Sequence, residues 1–107
     1  MLMPLVSNIS ASTKLRFNRA KIKSQKPSWS TCSSRGNINL NRNLGFLSKE
    51  LVEYVIVHEL CHTKIMNHSL DFWQAVEGYI PNWRLIRKKL GVKRKGTGAS
   101  LGIGLIS

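Results

Sequence analysis

One short motif limits what this chain can be more than any other feature: the string HELCH at residues 58–62, followed six residues later by His68. On a helix, positions i and i+4 share a face, so His58 and His62 can bind one metal ion. Glu59 lies beside that ion, where a general base for a metal-bound water is expected. A third imidazole at His68 completes a three-ligand site with the fourth position open, as in catalytic zinc. The spacing therefore predicts a zinc hydrolase.

The segment before the motif predicts that this helix is buried. Residues 51–57 read LVEYVIV and are apolar on nearly every side. Ser48 is the predicted N-cap, with Glu50 in the first turn where it favours the helix dipole, and the helix is predicted to run to about Met66. Histidines and a glutamate on a buried helix are costly unless a metal or hydrogen bonds satisfy them. The alternative to a metal site is a set of hydrogen-bonded core histidines.

The third metal ligand has competitors. The spacing from His62 to His68 matches the metzincin pattern, but no methionine lies downstream of His68 to form a methionine turn, so a metzincin is excluded. We expect Asn67 to turn the chain back toward the metal in the left-handed conformation, which asparagine tolerates. Asp71 and Glu77 are alternatives to the preferred His68, because carboxylates also complete catalytic zinc sites.

The charge of the chain is unevenly distributed. The net charge is +12, and all five acids fall between residues 50 and 77. The first 49 residues carry nine Lys or Arg and no acid, and residues 78–107 carry seven and no acid. Such asymmetry indicates an anionic partner such as nucleic acid, nucleotide or phosphate. The alternatives are a solvated basic surface or the exposed flank of a larger protein.

Length and cysteine usage indicate the class of protein. A chain of 107 residues forms one domain at most, with a modest core. Cys32 and Cys61 make neither a disulfide framework nor a C-x-x-C pair, and reduced thiols favour a cytoplasmic protein. The N-terminus lacks the basic region of a signal peptide, and no apolar stretch approaches membrane-spanning length. We therefore expect a cytoplasmic protein with no membrane partner.

Composition divides the chain into three parts. Residues 1–13 are predicted to be a loose lead-in, residues 14–91 the domain, and residues 92–107 a flexible tail that is basic and glycine-rich. The predicted fold class is α+β and zincin-like. It consists of a small antiparallel strand unit, then the buried motif helix, then two further helices.

Periodicity and turn signals predict the individual elements. Alternating apolar and polar residues indicate three extended segments, at residues 14–25, 29–33 and 37–41. In the third, Ile38 and Leu40 are predicted to point inward, and this strand is the candidate edge for an extended substrate. Two helices are predicted after the motif helix, at residues 70–79 with Ser69 as N-cap and at 83–90 with Gly91 as the stop signal.

An ordered set of motifs resembles a known family. The motifs are KSQK at 23–26, Trp29, CS at 32–33, GNI at 36–38, LN at 40–41, YVIVHELCH at 54–62, MNHS at 66–69 and FW at 72–73. They resemble the YgjP-like metal-dependent hydrolases, zincin-type metallopeptidase-like proteins related in fold to SprT-like proteases. The likeness extends from about residue 20 to residue 91.

The resemblance implies the same three zinc ligands and the role of catalytic acid and base for Glu59. Two serines depart from the family pattern: Ser28 stands before Trp29 where an arginine is usual, and Ser30 follows it where a glycine is usual. Family members usually carry a strand-rich N-terminal half, which has no counterpart here. The chain is therefore expected to correspond to the C-terminal half of the pattern, with a missing N-terminal half or an oligomeric partner.

Two classes of function are consistent with the sequence. The first is a zinc-dependent hydrolase of metallopeptidase type, in which zinc lowers the pKa of its bound water to about 7 and Glu59 accepts the proton. The same site could hydrolyse nucleotide phosphoanhydrides, so the expected substrate is a peptide or bears phosphate. The rival is a truncated, non-catalytic zinc module that binds nucleic acid through its basic surface.

Overall fold

The computed structural model describes residues 2–23 and 29–95. Within these residues the elements are, in order, α1 (Leu2–Thr13), β1 (Arg19–Lys23), β2 (Ser30–Cys32), β3 (Asn37–Asn41), a 3₁₀ helix (Arg42–Phe46), α2 (Lys49–His62), α3 (Leu70–Tyr79) and α4 (Trp83–Lys95). The predicted α+β class is confirmed, as is the order of a strand unit, a buried motif helix and two further helices.

The strand unit forms a mixed sheet with the order β1-β3-β2. Strand β3 pairs with β2 in antiparallel and with β1 in parallel, where the sequence predicted antiparallel strands alone. The turn between β2 and β3 includes Gly36 at φ +81°, a conformation that glycine adopts without a Cβ clash. Because both sides of β3 are hydrogen-bonded, β3 is the central strand. The prediction that residues 37–41 form a substrate-binding edge was wrong.

The two faces of the sheet have opposite characters. Ile38 and Leu40 of β3 are 2% and 0% exposed, which confirms that they point inward. The register places Ser30 opposite Leu40 and Cys32 opposite Ile38, so these two β2 residues share the inner face. This inner face packs against α2 in the core. Side chains at the alternate positions lie on the outer face.

Helix α2 begins as its sequence predicts and ends earlier than predicted. Ser48 is the N-cap, and its side chain accepts a hydrogen bond from the Leu51 amide. Every residue from 54 to 62 is buried, so this part of the helix is surrounded by protein. The helix ends at His62 rather than near Met66, and the Thr63 hydroxyl donates to the Leu60 carbonyl at 2.6 Å, which satisfies one of the last carbonyls.

Residues 2–13 form helix α1, where a loose lead-in was predicted. Leu2 and Val6 are buried one turn apart on this helix, and Leu5 and Ile9 pack partly against the core. Short helices gain most of their stability from such tertiary packing, which local periodicity in this weakly patterned segment did not indicate. The Tyr79 hydroxyl also donates to the Thr13 carbonyl at 3.1 Å, which joins the end of α1 to α3.

The last two helices partly match their predicted bounds. Helix α3 has the predicted limits and the predicted N-cap, because the Ser69 side chain accepts from the Phe72 amide. Helix α4 continues through Gly91 to Lys95, where a stop at Gly91 was predicted. A glycine inside a helix costs only about 1 kcal/mol relative to alanine, so it ends a helix only where neighbouring residues also favour ending.

Residues 96–107, most of the predicted tail, lie outside the described residues. Among the helices of the described residues, none combines the length and the apolar character needed to cross a lipid bilayer.

Candidate metal centre

Two of the three histidines lie on consecutive turns of α2 and face the core. His58 is 2% exposed and His62 is 1% exposed. Phe72 of α3 stacks on the His62 ring with centroids 4.3 Å apart, and meets the His58 ring edge-on at 5.0 Å. The one-turn spacing therefore directs both rings to one place, and the buried Phe72 ring limits their rotation.

The third histidine comes from the segment between α2 and α3. His68 Nε2 lies 3.1 Å from His62 Nε2, and one ligand atom from each of the three histidines lies within 4.8 Å of the others. Trp73 stacks on the His68 ring with centroids 5.6 Å apart. The segment returns without a left-handed residue: Lys14 is the one non-glycine residue with positive φ in the described chain, so the prediction for Asn67 was wrong.

Hydrogen bonds within α2 and at its end orient the two buried rings. His62 Nδ1 lies 2.9 Å from the Ile65 carbonyl oxygen, and His58 Nδ1 lies 3.3 Å from the Tyr54 hydroxyl oxygen. In the tautomer with the proton on Nδ1, both histidines donate through Nδ1 and present the Nε2 lone pair. The backbone carbonyl of Ile65 can therefore fix the orientation of the His62 ring, and the identity of the side chain at residue 65 does not matter for this contact.

The donor set fits a zinc ion. Two nitrogens bound to a tetrahedral zinc at about 2.0–2.1 Å lie roughly 3.3 Å apart. The 3.1 Å between His62 Nε2 and His68 Nε2 is close to that value. Without a cation, the same distance also fits a hydrogen bond in which one of the two imidazoles carries its proton on Nε2. The three histidines could therefore hold a divalent metal and would leave a position open.

The alternative carboxylate ligands lie elsewhere. Among the described residues, the group able to hold a metal contains the three histidines and neither Asp71 nor Glu77. Glu77 Oε1 instead accepts a hydrogen bond from Trp83 Nε1 at 3.2 Å. The structure thus brings His68, and not the carboxylates, to His58 and His62. The assignment of these three as ligands stays a prediction.

Glu59 points from α2 toward strand β2. The Ser30 hydroxyl donates to Glu59 Oε2 at 2.5 Å, and both side chains are 0% exposed. A hydroxyl bonded to a carboxylate at this distance is a short, charge-assisted hydrogen bond. Ser30 therefore holds one oxygen of the predicted general base in a fixed position.

The polar groups around Glu59 keep their protons. Burial and the nearby Glu59 carboxylate raise the pKa of the Cys32 thiol from 9.0 to about 11. Burial also raises the pKa of Cys61 to about 11, against the opposing effect of Lys64. The pKa of Tyr54 is raised by burial, which outweighs the opposing charge of Arg87. At neutral pH neither thiol is ionised by these surroundings, so neither is an activated nucleophile.

Sequence reasoning missed three contributors to the centre: Ser30, Tyr54 and the Ile65 carbonyl. Tyr54 precedes His58 by one helical turn, so the i, i+4 rule could have found their contact. Ser30 was noted only as a departure from a family pattern. Its contact with Glu59 spans 29 residues of chain and depends on the packing of β2 against α2, which no local pattern indicates.

Comparisons with known proteins agree with this geometry. The family model "YgjP-like, metallopeptidase domain" matches residues 1–93, so the match includes α1. The crystal structure of the metallopeptidase zymogen abylysin from Pyrococcus abyssi superposes with a TM-score of 0.78 and 26% identity, covering 89% of this chain and 96% of that one. The metallopeptidase zymogen jannalysin from Methanocaldococcus jannaschii gives a TM-score of 0.75 and 26% identity, covering 87% and 96%. No curated protein matched the chain.

Proposed function

This chain belongs to the YgjP-like metallopeptidase domain family and is a metallohydrolase, and on that premise we propose that it hydrolyses peptide bonds with zinc. The proposed ligands are His58, His62 and His68, and the proposed general base is Glu59. The observation that carries the proposal is the convergence of three imidazole nitrogens within 4.8 Å of one another. A cytoplasmic location belongs to the same proposal and is supported by two cysteines that form no disulfide.

The chain's own residues divide the work between binding and proton transfer. His58, His62 and His68 would hold the zinc, which would supply Lewis acidity at the position they leave open. Glu59 would take a proton from the attacking water and return it to the leaving amine. The hydrogen bond from Ser30 fixes one oxygen of the Glu59 carboxylate and limits rotation of the side chain in its buried pocket.

Strand β2 is the proposed docking edge for an extended peptide. In the described part of the sheet β2 lies at an edge, beside α2. Trp29 accepts a backbone hydrogen bond from Asn41, and Ser33 donates one to Asn37. In an antiparallel pair, every second residue forms its backbone hydrogen bonds with the partner strand. The N–H and C=O groups of Ser30 and Cys32 therefore point away from β3. Ser30 and Cys32 are 0% and 8% exposed, so a peptide strand pairs there, beside Glu59, only once the groups that cover this edge move aside.

The proposal is tested by comparing the parent protein with Glu59→Gln. Both are purified without added metal, analysed for zinc, and assayed on a fluorogenic peptide library and on nucleoside triphosphates. We expect about one zinc per chain in both proteins. We expect Glu59→Gln to lose about a hundred- to ten-thousand-fold of peptide hydrolysis, because it keeps the shape of the side chain but cannot accept the proton.

Each other outcome has a definite meaning. Full activity in Glu59→Gln would show that the motif helix only binds metal. Hydrolysis of nucleotides without hydrolysis of peptides would replace the peptidase with the phosphoanhydride alternative on the same site. Zinc content near zero, with a fold insensitive to chelator, would exclude the metal mechanism altogether.

A further inference from the structure

The outer face of the sheet, opposite α2, is strongly basic. Residues at positions 19, 21 and 23 of β1 are exposed, and they alternate with half-buried residues at positions 20 and 22. The parallel register sets Arg19 beside Asn37 and Lys21 beside Asn39, with Lys23 next along the strand. These five residues are called here the basic face. They line a concave depression of about 220 Å³.

No acid neutralises the basic face. The five acids of the whole chain fall between residues 50 and 77, which begin with α2 and end within α3, whereas the basic face lies on β1 and β3. The ion pairs among the described residues join Lys49 to Glu53 and Lys89 to Glu50, and none includes a cation of the basic face. Three positive charges therefore stand side by side with only solvent to screen them.

We propose that the basic face binds the phosphate backbone of nucleic acid, with single strands preferred. Side chains at i and i+2 on a strand lie about 6.6 Å apart, so the three cations form a row about 13 Å long. Such a row can contact successive phosphates of a flexible single strand, as positively charged grooves do in proteins that follow the backbone. A duplex is stiff on this length scale, whereas a single strand can bend its backbone into the depression.

In the second row of the face, Asn37 offers an amide donor beside the cations, while the Asn39 Nδ2 group donates to Thr31 Oγ1 at 3.3 Å. The Oδ1 atom of Asn37 accepts from Asn18 Nδ2 at 2.9 Å, so the Nδ2 group of Asn37 is not used in that bond. Amide side chains beside cations are frequent contacts for phosphate and sugar oxygens, and they carry no sequence information. No aromatic side chain belongs to the basic face, so base stacking is absent and the binding is expected to be independent of sequence.

The two faces of the sheet can act independently. The cations point away from α2, whereas Ser30 contacts Glu59 on the inner face. A nucleic acid on the outer face does not reach Ser30 or Glu59, which are buried on the inner face. This inference therefore does not depend on the proposed peptidase activity, and either proposal can fail alone.

The test is fluorescence anisotropy of a labelled 12-nucleotide single-stranded DNA and of the matching duplex, at several NaCl concentrations between 50 and 200 mM. The variant is the triple substitution Arg19→Gln, Lys21→Gln and Lys23→Gln. Each phosphate contact with a single strand contributes about −0.7 to the slope of log K against log salt, so three contacts contribute about −2. We expect the triple variant to have a slope shallower by about 2 and the weaker affinity at 50 mM.

The matched control removes the same charge from α2, from the turn that follows it and from α4, with Lys49→Gln, Lys64→Gln and Lys88→Gln. We expect it to bind like the parent. Equal losses in both triple variants would overturn the proposal, because net charge alone would explain binding. Absence of binding by the parent, or binding to anionic phosphatidylserine vesicles but not to DNA, would also overturn it. The proposal would also be overturned if the triple variant self-associated while its DNA affinity stayed unchanged. The cations would then serve to prevent the edge strand β1 from pairing with another chain.

Discussion

The two faces of the three-stranded sheet show how one strand segment can serve two environments. On the inner face, Ile38 and Leu40 are buried and Ser30 contacts Glu59. On the outer face, Asn39 lies between Ile38 and Leu40 on β3, and its register partner Lys21 lies on β1. Lys21 is exposed and Asn39 is half-buried. The alternation of side chains along a strand produces this division without any change in backbone.

The division matters because electrostatic interactions differ in strength on the two sides. A hydrogen bond to a buried carboxylate such as Glu59 acts in a low dielectric, and leaving a buried charge without it is costly. Exposed cations such as Lys21 are screened by salt within about 8–10 Å. Substitutions on the inner side should therefore affect metal binding, turnover and stability, whereas those on the outer side should affect only salt-dependent binding.

The largest expected effect concerns His68, which joins the centre from outside α2. Removing a group that only orients a ligand typically weakens metal affinity about 10- to 100-fold. Removing a ligand itself should exceed that, so we expect His68→Ala to weaken zinc binding by more than about 100-fold. Competition with a chromogenic chelator measures the affinity.

Two controls sharpen this prediction. Asp71→Ala and Glu77→Ala should bind zinc like the parent, because neither carboxylate belongs to the histidine group. The triple variant of the basic face should also keep its zinc affinity. A larger loss in Glu77→Ala than in His68→Ala would move the third ligand to α3.

The parts of this centre that could be predicted from sequence are those that depend on local spacing. The four-residue interval between His58 and His62 directs both rings to one face wherever a helix forms. The serine N-caps of α2 and α3 were recognised because capping is a local hydrogen bond. The alternation at Ile38 and Leu40 predicted the inner face of β3 in the same way.

The parts that could not be predicted depend on long-range packing. The order of strands in the sheet places β3 in the centre, and nothing local distinguishes a central strand of five residues from an edge. Helix α1 exists because Leu2 and Val6 find a core built by later residues. The contact of Ser30 with Glu59 arises in the same way, from two elements that meet only after folding.

Tyr54 offers the next test, because it supports the metal centre without contacting the metal. Its hydroxyl oxygen lies 3.3 Å from His58 Nδ1 and can accept that proton. Tyr54→Phe removes this acceptor and keeps the ring, so we expect zinc affinity to fall about 10- to 100-fold. Tyr79→Phe is the matched control, since the Tyr79 hydroxyl donates to the distant Thr13 carbonyl. Equal affinities in the two variants would remove Tyr54 from the centre.

Ser30 and Thr31 allow the two faces to be compared at adjacent residues. Ser30→Ala removes a hydrogen bond to the predicted general base, so we expect kcat for peptide hydrolysis to fall about tenfold while KM and zinc content are unchanged. Ser30→Thr keeps the hydroxyl and should restore kcat. Thr31→Ala, on the outer face, should leave kcat unaltered. If Ser30→Ala were as active as the parent, the short hydrogen bond to Glu59 would have no part in turnover.

The smallest expected effect tests whether the faces also differ in stability. Ile38→Val deletes one methylene from a side chain that is 2% exposed, and such a change typically lowers the free energy of unfolding by about 0.5–1.5 kcal/mol. Lys21→Ala shortens an exposed side chain beside the same strand, and a substitution of this kind usually stays within about 0.5 kcal/mol of the parent. Urea unfolding followed by circular dichroism measures both values, with equal m-values as the check that only stability has changed. If Lys21→Ala proved as destabilising as Ile38→Val, the stem of Lys21 would be packing against the protein. The outer face would then contribute to the stability of the sheet. Cations whose stems are packed in this way are less free to move toward the phosphates of a nucleic acid.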